Sequence, residues 1–196
     1  SKSNDLPDLP PRVEVRHLVK VTISGHPGSG TSTLVEGLCN HFGWSSLNGG
    51  QLFRDEANNR GLSLADFGAL CAEDDSVDRH LDEVLKQKML EENGPEVMES
   101  RLCGWWAYNL DINCIRLWIN VSDEERATRV VNREGGELSQ AIEANQKRSA
   151  IDRVRYQELY GLDPQDVTPY THVIEATSLG KEEALAEAVA ILEEVV

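Results

Sequence analysis

A β-branched run that leads directly into a glycine-rich turn is the feature that most constrains the fold of this chain. Residues 21–23 read VTI, the turn at residues 24–33 reads SGHPGSGTST, and a segment with helical apolar spacing follows. A strand, a glycine-rich turn and a helix in this order are typical of the phosphate-binding loop (P-loop) pattern G-x-x-x-x-G-K-[ST]. Converging backbone N–H groups and a helix N-terminus attract an anion in such a loop. The junction therefore predicts a polyphosphate site.

One position departs from the P-loop pattern, because Thr31 stands where the lysine is expected. The substitution removes a mobile cation that would lie near the β- and γ-phosphates of a bound nucleotide. Ser32 still supplies the hydroxyl that coordinates Mg²⁺ in loops of this kind. A glycine-rich turn without lysine is a weak sign of phosphate binding by itself, and the strand and helix beside it strengthen the hypothesis.

The charge of the chain bears on its partners. There are 34 Asp and Glu residues against 19 Lys and Arg, so the net charge at pH 7 is −15. A nucleic-acid backbone is therefore not expected as the main partner, since it requires a basic face. Seven basic residues nevertheless cluster in the second half of the chain, where they either serve an anion site or pair with acids on exposed helix faces. They are Arg126, Arg129, Arg133, Lys147, Arg148, Arg153 and Arg155.

Three features bear on the compartment in which the chain works. The cysteines Cys39, Cys71, Cys103 and Cys114 have no CxxC spacing, so we expect reduced core thiols and neither a zinc site nor a disulfide framework. No apolar stretch is long enough to span a membrane, and no signal-peptide pattern is visible, so a cytoplasmic location is expected. Residues 1–17 are Pro-rich and charged and are expected to form a disordered tail.

Alternating strand and helix patterns predict the fold class. Strands are expected at about residues 18–24, 44–47, 96–99, 114–121 and 172–176. Helices are expected at about residues 31–41, 51–59, 64–71, 76–91, 123–133, 138–160 and 182–196. This order predicts an α/β fold, a three-layer structure with a five-stranded parallel sheet and helices on both faces. Ligands of such folds bind at the carboxyl ends of the strands, where the P-loop lies.

Five further segments occur in an order and spacing that resemble one enzyme family. GGQLFR at residues 49–54 resembles the family segment G-D-x-F-R, AEDDSVDRHLD at 72–82 resembles A-E-x-D-x-x-x-D-x-x-x-D, and ESRLCGW at 99–105 resembles E-G-R-L-A-G-W. RATR and REG, within 126–135, resemble the beginning of the family's lid, and RYQELYGLD at 155–163 resembles its end, R-Y-x-x-x-Y-G-I-D. The chain from about residue 18 onward resembles the nucleoside monophosphate kinases, and most of all the short cytidylate kinases of archaea.

The resemblance implies a P-loop kinase domain over residues 18–196, with a small monophosphate-binding segment at about 49–92 and a lid at about 126–156. Gln51 and Ser100 depart from the family's aspartate and glycine. Loops of the form G-T-[ST]-T occur among archaeal members, so the missing lysine is less unusual in this family. The family's cofactor is Mg²⁺ together with ATP, and Ser32 and, through a water, Glu99 are its expected ligands. ATP is expected to contact Gly25, His26, Pro27, Gly28, Ser29, Gly30, Thr31, Ser32 and Thr33, with the His26 side chain facing solvent.

The resemblance also assigns the acceptor side. Gly49, Arg54 and Arg101 are expected to hold the acceptor phosphate, because a guanidinium binds phosphate oxygens bidentately. Asp152 and Arg155 lie three residues apart and match a pair that reads the cytosine edge in bacterial relatives; the alternative is an ordinary ion pair between them on one helix. The expected catalytic arginines are Arg129, Arg133 and Arg148, which reach the transferring phosphoryl group as the lid closes. The adjacent Trp105 and Trp106 either form the floor of the base pocket or pack in the core, and their residue type favours the core.

The function expected from these features is phosphorylation of CMP or dCMP by ATP. Two alternatives stay open at this stage. One is a kinase for another nucleoside monophosphate, AMP or UMP, and the other is a nucleotide-binding paralogue without catalysis, which Thr31 favours and the retained arginines disfavour. The expected partners are ATP and a nucleoside monophosphate, with no nucleic acid and no membrane, and the chain is expected to be a monomer.

Overall fold

Five parallel strands form a single sheet at the centre of the protein. The computed structural model describes residues 19–194; the predicted tail at 1–17 and the end of the last predicted helix lie outside this range. The strands are β1 (Val21–Gly25), β2 (Ser46–Asn48), β3 (Val97–Glu99), β4 (Ile115–Asn120) and β5 (His172–Glu175). They are arranged in the order β2-β3-β1-β4-β5. The predicted α/β class and the five parallel strands are confirmed, with strand ends that differ by at most three residues.

Helices connect the strands and cover the sheet. Most of them match the predicted segments, because their capping residues are visible in the sequence: the Ser63 side chain accepts from the Asp66 N–H and the Ser122 side chain from the Glu125 N–H. Gly161 ends the longest helix in the left-handed conformation, with φ 65°. The helices are α1 (Thr31–Phe42), α2 (Gly49–Asn59), α3 (Leu64–Glu73), α4 (Asp75–Leu90), α5 (Cys103–Asn109), α6 (Asp123–Glu134), α7 (Leu138–Tyr160) and α8 (Lys181–Glu193).

Successive side chains along a strand point to opposite faces of the sheet and pack in two different apolar cores. Val97 packs with the residues of α1 and α8 on one face, whereas its neighbour Met98 packs with α4 and α5 on the other. Because both faces are covered, consecutive residues of the central strands are buried, as in residues 21–24 of β1. A third apolar cluster, centred on Phe67 and Val77, joins α3 to α4 and gives this region a small core of its own.

Helix α5 was not predicted from the sequence. Five of its seven residues are buried, so its sequence, CGWWAYN, lacks the polar face that reveals most helices. Trp105 and Trp106 both belong to the core beneath the sheet, and neither lines the cavity described below. Their expected role in core packing is therefore confirmed. The four cysteines are all free, as predicted, and three of them are buried.

The topology places three strand ends side by side. Glu99 at the end of β3 is in register with Ile23 of β1 on one side and with Asn48 of β2 on the other. The segments that follow these strands are therefore neighbours: the P-loop after β1, helix α2 after β2 and residues 100–102 after β3. None of the helices within residues 19–194 combines the length and hydrophobicity needed to cross a bilayer.

The tight contact between α5 and the segment before β5 leads to a stability prediction. A Cβ atom on Gly104 would lie 3.1 Å from Cδ1 of Tyr170 and closer still to Cε1. Because this core has no room for it, Gly104→Ala is expected to lower the free energy of unfolding by about 1–3 kcal/mol. Urea denaturation followed by circular dichroism measures this change.

Gly68 provides the matched control, since it lies within α3 and a Cβ there would meet nothing within 4 Å. Gly68→Ala is expected to leave the free energy of unfolding unchanged or to raise it by about 0.5–1 kcal/mol. Equal destabilisation by the two substitutions would contradict the packing argument.

Candidate functional site

A cavity of about 660 Å³ opens at the carboxyl ends of β1, β2 and β3. Its wall combines the P-loop, four arginines and an apolar surface. The apolar part includes Leu52 and Phe53 from α2 and Leu81 and Leu85 from α4. A cavity of this volume, with clustered charges beside an apolar wall, is typical of a site for a polar ligand that also has an apolar or aromatic part.

Left-handed glycines, a short internal hydrogen bond and close packing fix the conformation of the P-loop backbone. Gly28 and Gly30 adopt positive φ angles of 84° and 80°, and the Ser29 hydroxyl donates to the His26 carbonyl over 2.6 Å. A Cβ on Gly25 would lie 3.0 Å from both the Ile119 carbonyl oxygen and the Thr31 methyl group, so this position has little room for a side chain. These constraints produce the anion-binding loop geometry that the sequence predicts. The P-loop residues that line the cavity are Gly25, His26, Pro27, Thr31 and Ser32; Gly28, Ser29, Gly30 and Thr33 do not.

Glu99 is the acceptor of a hydrogen-bond cluster at the strand ends. The Thr31 hydroxyl donates to Oε1 of Glu99 over 2.7 Å, and the Ser32 hydroxyl lies 3.3 Å from the same atom. Asn48 donates from Nδ2 to Oε2 over 3.5 Å. The residue that replaces the P-loop lysine thus holds the carboxylate that follows β3. This contact between Thr31 and Glu99 was not foreseen from the sequence.

The oxygens of Ser32 and Glu99 fit a magnesium ion. Mg²⁺ prefers oxygen ligands and is usually held by one or two protein groups together with waters and substrate phosphates. Over residues 19–194 no group of three or more His, Cys, Asp or Glu forms a ready-made metal cage.

Four arginines line the same cavity: Arg54 from α2, Arg101 from the segment after β3, and Arg148 and Arg155 from α7. Burial, together with the positive charges of Arg148 and Arg155, lowers the pKa of the Arg101 guanidinium. Such a concentration of positive charge in a partly desolvated site favours an anion. Gly49, at the start of α2, also lines the cavity, and a Cβ there would come within 3.2 Å of Cβ of Ser100.

Asp152 and Arg155 do not form an ion pair with each other. Asp152 is paired instead with Arg101 of the segment after β3, which is far from α7 in the sequence. Arg155 instead lies 3.8 Å from Oδ2 of Asp78 in α4 and donates to the Tyr156 hydroxyl over 3.2 Å. The alternative of an ordinary pair within one helix is therefore wrong. The sequence pattern does not reveal Asp78 as this partner, although Asp78 lies in the acidic motif at residues 72–82.

The two arginines of α6 are placed differently from each other. A Cβ on Gly30 would lie 3.6 Å from Nη1 of Arg129, so this guanidinium lies over the P-loop, where it also donates to the Ala176 carbonyl. Arg133 is exposed, pairs with Glu134 and does not line the cavity. The structure thus brings Arg129, but not Arg133, to the expected place.

Arg126 is a charged residue whose importance the sequence did not reveal. It is only 1% exposed, donates from Nη1 to the Pro27 carbonyl over 3.2 Å and pairs with Asp123. Its Cβ lies 3.7 Å from the position of a Cβ on Gly28. A buried guanidinium therefore supports the P-loop from behind. In the sequence it looks like one more arginine of a basic segment.

His26 does not face solvent, contrary to the expectation. Its ring is half-buried and meets Trp118 edge-to-face with 5.0 Å between ring centroids. Burial, followed by the charges of Arg126 and Arg101, lowers the pKa of the imidazole below its usual value of 6.5. This shift favours the neutral form of the ring over the charged form.

Comparisons with known proteins agree with this geometry. A family profile described as an AAA domain matches residues 21–152. A cytidylate kinase of Methanospirillum hungatei is 36% identical over 169 residues, which cover 86% of this chain and 92% of that protein. A cytidylate kinase of Halobacterium salinarum is 37% identical over 150 residues, covering 76% and 77%. The structure of a gluconokinase from Sinorhizobium meliloti has a TM-score of 0.58 at 15% identity, covering 92% of this chain and 94% of that one, and indicates the fold alone.

The family profile extends from β1 into α7 and so includes the P-loop, Arg54, Arg101 and Arg148 of the cavity. Both cytidylate kinases share more than 30% identity with this chain over most of both lengths, and the described fold is that of a P-loop kinase. The chain belongs to the cytidylate kinase family of archaeal type, within the P-loop nucleoside monophosphate kinases.

Proposed function

We propose that this protein transfers the γ-phosphoryl group of ATP to CMP or dCMP, forming ADP and CDP or dCDP. The observation that carries the proposal is a single cavity in which the P-loop, the Ser32–Glu99 pair and the four arginines meet. The relatives named cytidylate kinase support the choice of a cytosine nucleotide. The finer points below, including the residue roles, belong to the same proposal.

The donor side is formed by the P-loop and α6. Loop N–H groups from His26 to Ser32 surround the ATP phosphates, and Arg129 lies close enough to neutralise part of their charge. Bound at Ser32 and, through water, at Glu99, Mg²⁺ would neutralise phosphate charge and fix phosphate geometry. Thr31 holds Glu99 in the orientation that this arrangement needs.

The acceptor side is formed by Arg54 and Arg101, whose guanidiniums bind the monophosphate beside Gly49. An acceptor phosphate oxygen forms the new bond to the γ-phosphorus as the bond to the oxygen bridging the β- and γ-phosphorus breaks. Such a transfer needs alignment and charge neutralisation more than covalent help from the protein. Arg148 supplies positive charge to the transferring group, and Asp152 orients Arg101 by pairing with it.

The lid and the acceptor segment are mobile parts in this proposal. Residues 126–156 act as the lid and residues 49–92 hold the monophosphate. Arg133 is exposed in the structure, so it reaches the phosphates only if the lid moves toward the P-loop. We propose that the protein acts as a monomer in the cytoplasm and needs no nucleic acid.

A panel of monophosphates tests the function directly. ADP release is coupled to a dehydrogenase readout with CMP, dCMP, UMP and AMP as acceptors. We expect turnover to be highest with CMP or dCMP. Preference for AMP or UMP would identify a kinase for another base, and ATP binding without turnover would identify a paralogue without catalysis.

Arg101 tests the acceptor side. Arg101→Lys keeps the charge but loses bidentate binding, so kcat/KM for CMP is expected to fall by about 10- to 100-fold. KM for ATP is expected to change by less than about threefold, because the P-loop is untouched. Arg153→Lys is the control with the same substitution, since Arg153 lies on α7, is exposed, pairs with Asp163 and does not line the cavity. An equal loss in both variants would argue against the assignment.

Thr31 tests how the loop works without its lysine. Thr31→Val keeps the methyl group that faces Gly25 and removes the hydroxyl bound to Glu99. Because a hydrogen bond to a charged group contributes about 1.5–3 kcal/mol, kcat is expected to fall by at least about tenfold and half-saturation with Mg²⁺ to shift upward. Thr31→Ser, which keeps the hydroxyl, is expected to behave like the natural protein. Unchanged magnesium dependence in Thr31→Val would show that the contact has no role.

A further inference from the structure

The cavity contains a carboxylate and a guanidinium that face each other from two helices. Asp78 of α4 and Arg155 of α7 both line it, with Nη1 of Arg155 3.8 Å from Oδ2 of Asp78. The Asp78 side chain is only 16% exposed. At 3.8 Å the two groups attract each other but are too far apart for a hydrogen bond. Both therefore keep hydrogen-bonding capacity that a ligand in the cavity can use.

The surroundings of this pair suit a flat ring. Leu81 and Leu85 lie on the same helix as Asp78 and line the same cavity, and Phe53 faces it from α2. Burial raises the pKa of the Asp78 carboxyl, and Arg155 partly offsets this effect. A partly desolvated carboxylate beside an apolar wall is costly unless a donor meets it. An aromatic base can pack its ring against the apolar wall and hydrogen-bond with its polar edge to the charged pair.

The edge of cytosine matches this pair in hydrogen-bond pattern. Cytosine presents an amino group as donor, followed by N3 and O2 as acceptors. A carboxylate accepts from the amino group, and a guanidinium donates to the two acceptors. Uracil has a carbonyl in place of the amino group and an N–H at position 3, so its edge would face Asp78 with an acceptor and Arg155 with a donor. A site of this kind rejects uracil because its own polar groups would stay unpaired.

We infer that Asp78 and Arg155 together read the cytosine edge of the acceptor nucleotide, an inference that rests on the proposed CMP kinase function. Asp152 is not available for this role in the structure, because it is paired with Arg101. Base recognition therefore involves the α4 segment, and Asp152 acts on the phosphate side through Arg101.

A second contact between the two helices supports the position of Asp78. One turn further along α4, Asp82 accepts a hydrogen bond from the Tyr160 hydroxyl at the end of α7. Asp82 also lines the cavity, and burial raises the pKa of its carboxyl. The Asp82–Tyr160 contact fixes α4 against α7 and thus sets the distance between Asp78 and Arg155. In this inference Asp82 and Tyr160 are positioning residues.

Substrate selectivity tests the inference. The ratio of kcat/KM for CMP to that for UMP is measured in the natural protein and in Asp78→Asn, Asp152→Asn and the control Glu83→Gln. Asp78→Asn is expected to lower the ratio by about 5- to 100-fold, because a carboxamide can donate to uracil as well as accept from cytosine. Asp152→Asn is expected to lower both rates and leave the ratio within about twofold. Glu83 is exposed on α4, pairs with Lys86 and does not line the cavity, so its variant should match the natural protein.

A second measurement does not depend on any variant. The natural protein is given a CMP analogue whose base is pyrimidin-2-one, which lacks only the amino group. We expect kcat/KM to fall by at least about fivefold relative to CMP, whereas Asp78→Asn treats the two acceptors nearly alike. Binding of CMP, UMP and the analogue without ATP provides the same comparison if a variant has little turnover.

The outcomes separate the inference from the function on which it rests. If the natural protein prefers CMP and Asp78→Asn keeps that preference, or if Asp152→Asn loses it instead, the inference is overturned and the function stands. Equal use of CMP and the analogue by the natural protein overturns it as well. If no monophosphate is phosphorylated, the proposed function fails and the inference fails with it. A purely structural role of Asp78 would reduce CMP and UMP turnover equally, which also counts against base reading.

Discussion

The hydrogen bond from Thr31 to Glu99 joins the two elements on which the site depends. It links the start of α1 to the end of β3, and it exists only because β1 and β3 are paired with Ile23 opposite Glu99. In the usual P-loop a lysine follows the last glycine and points toward phosphate. Here the same position faces a carboxylate, so the charge needed by a polyphosphate has to come from elsewhere. Thr31 positions the Glu99 carboxylate through a hydrogen bond, whereas a lysine would place a positive charge near the phosphates.

We propose that this charge comes from guanidiniums, which approach the cavity from several elements. Arg126 and Arg129 approach the P-loop from α6, while Arg101 and Arg148 line the cavity from the segment after β3 and from α7. The net charge of −15 does not conflict with an anion site, because charges in a low-dielectric cleft act at short range and surface charges are screened. An acidic surface around a basic cleft is therefore consistent with binding of nucleotides.

The acceptor side depends on contacts between α4 and α7, which are far apart in the sequence. The pairs Asp78–Arg155 and Asp82–Tyr160 both cross this interface. Their geometry brings carboxylates and a guanidinium to an apolar wall, where the pattern of donors and acceptors decides which base fits. We therefore propose that phosphate binding belongs to Arg101 with Asp152 and base reading to Asp78 with Arg155.

The sequence by itself determined the elements with local signals: the strand, P-loop and helix at residues 21–42, the caps Ser63 and Ser122, and the alternation that specifies a parallel sheet. These depend on hydrogen bonds between residues a few positions apart, which a linear pattern records. Only the tertiary structure decided that α5 is a helix, that Arg126 is buried and that Asp152 pairs with Arg101 while Arg155 faces Asp78. Which ion pair a charged side chain forms depends on its distance from the opposite charge and on its burial. Both depend on how segments distant in the sequence pack together.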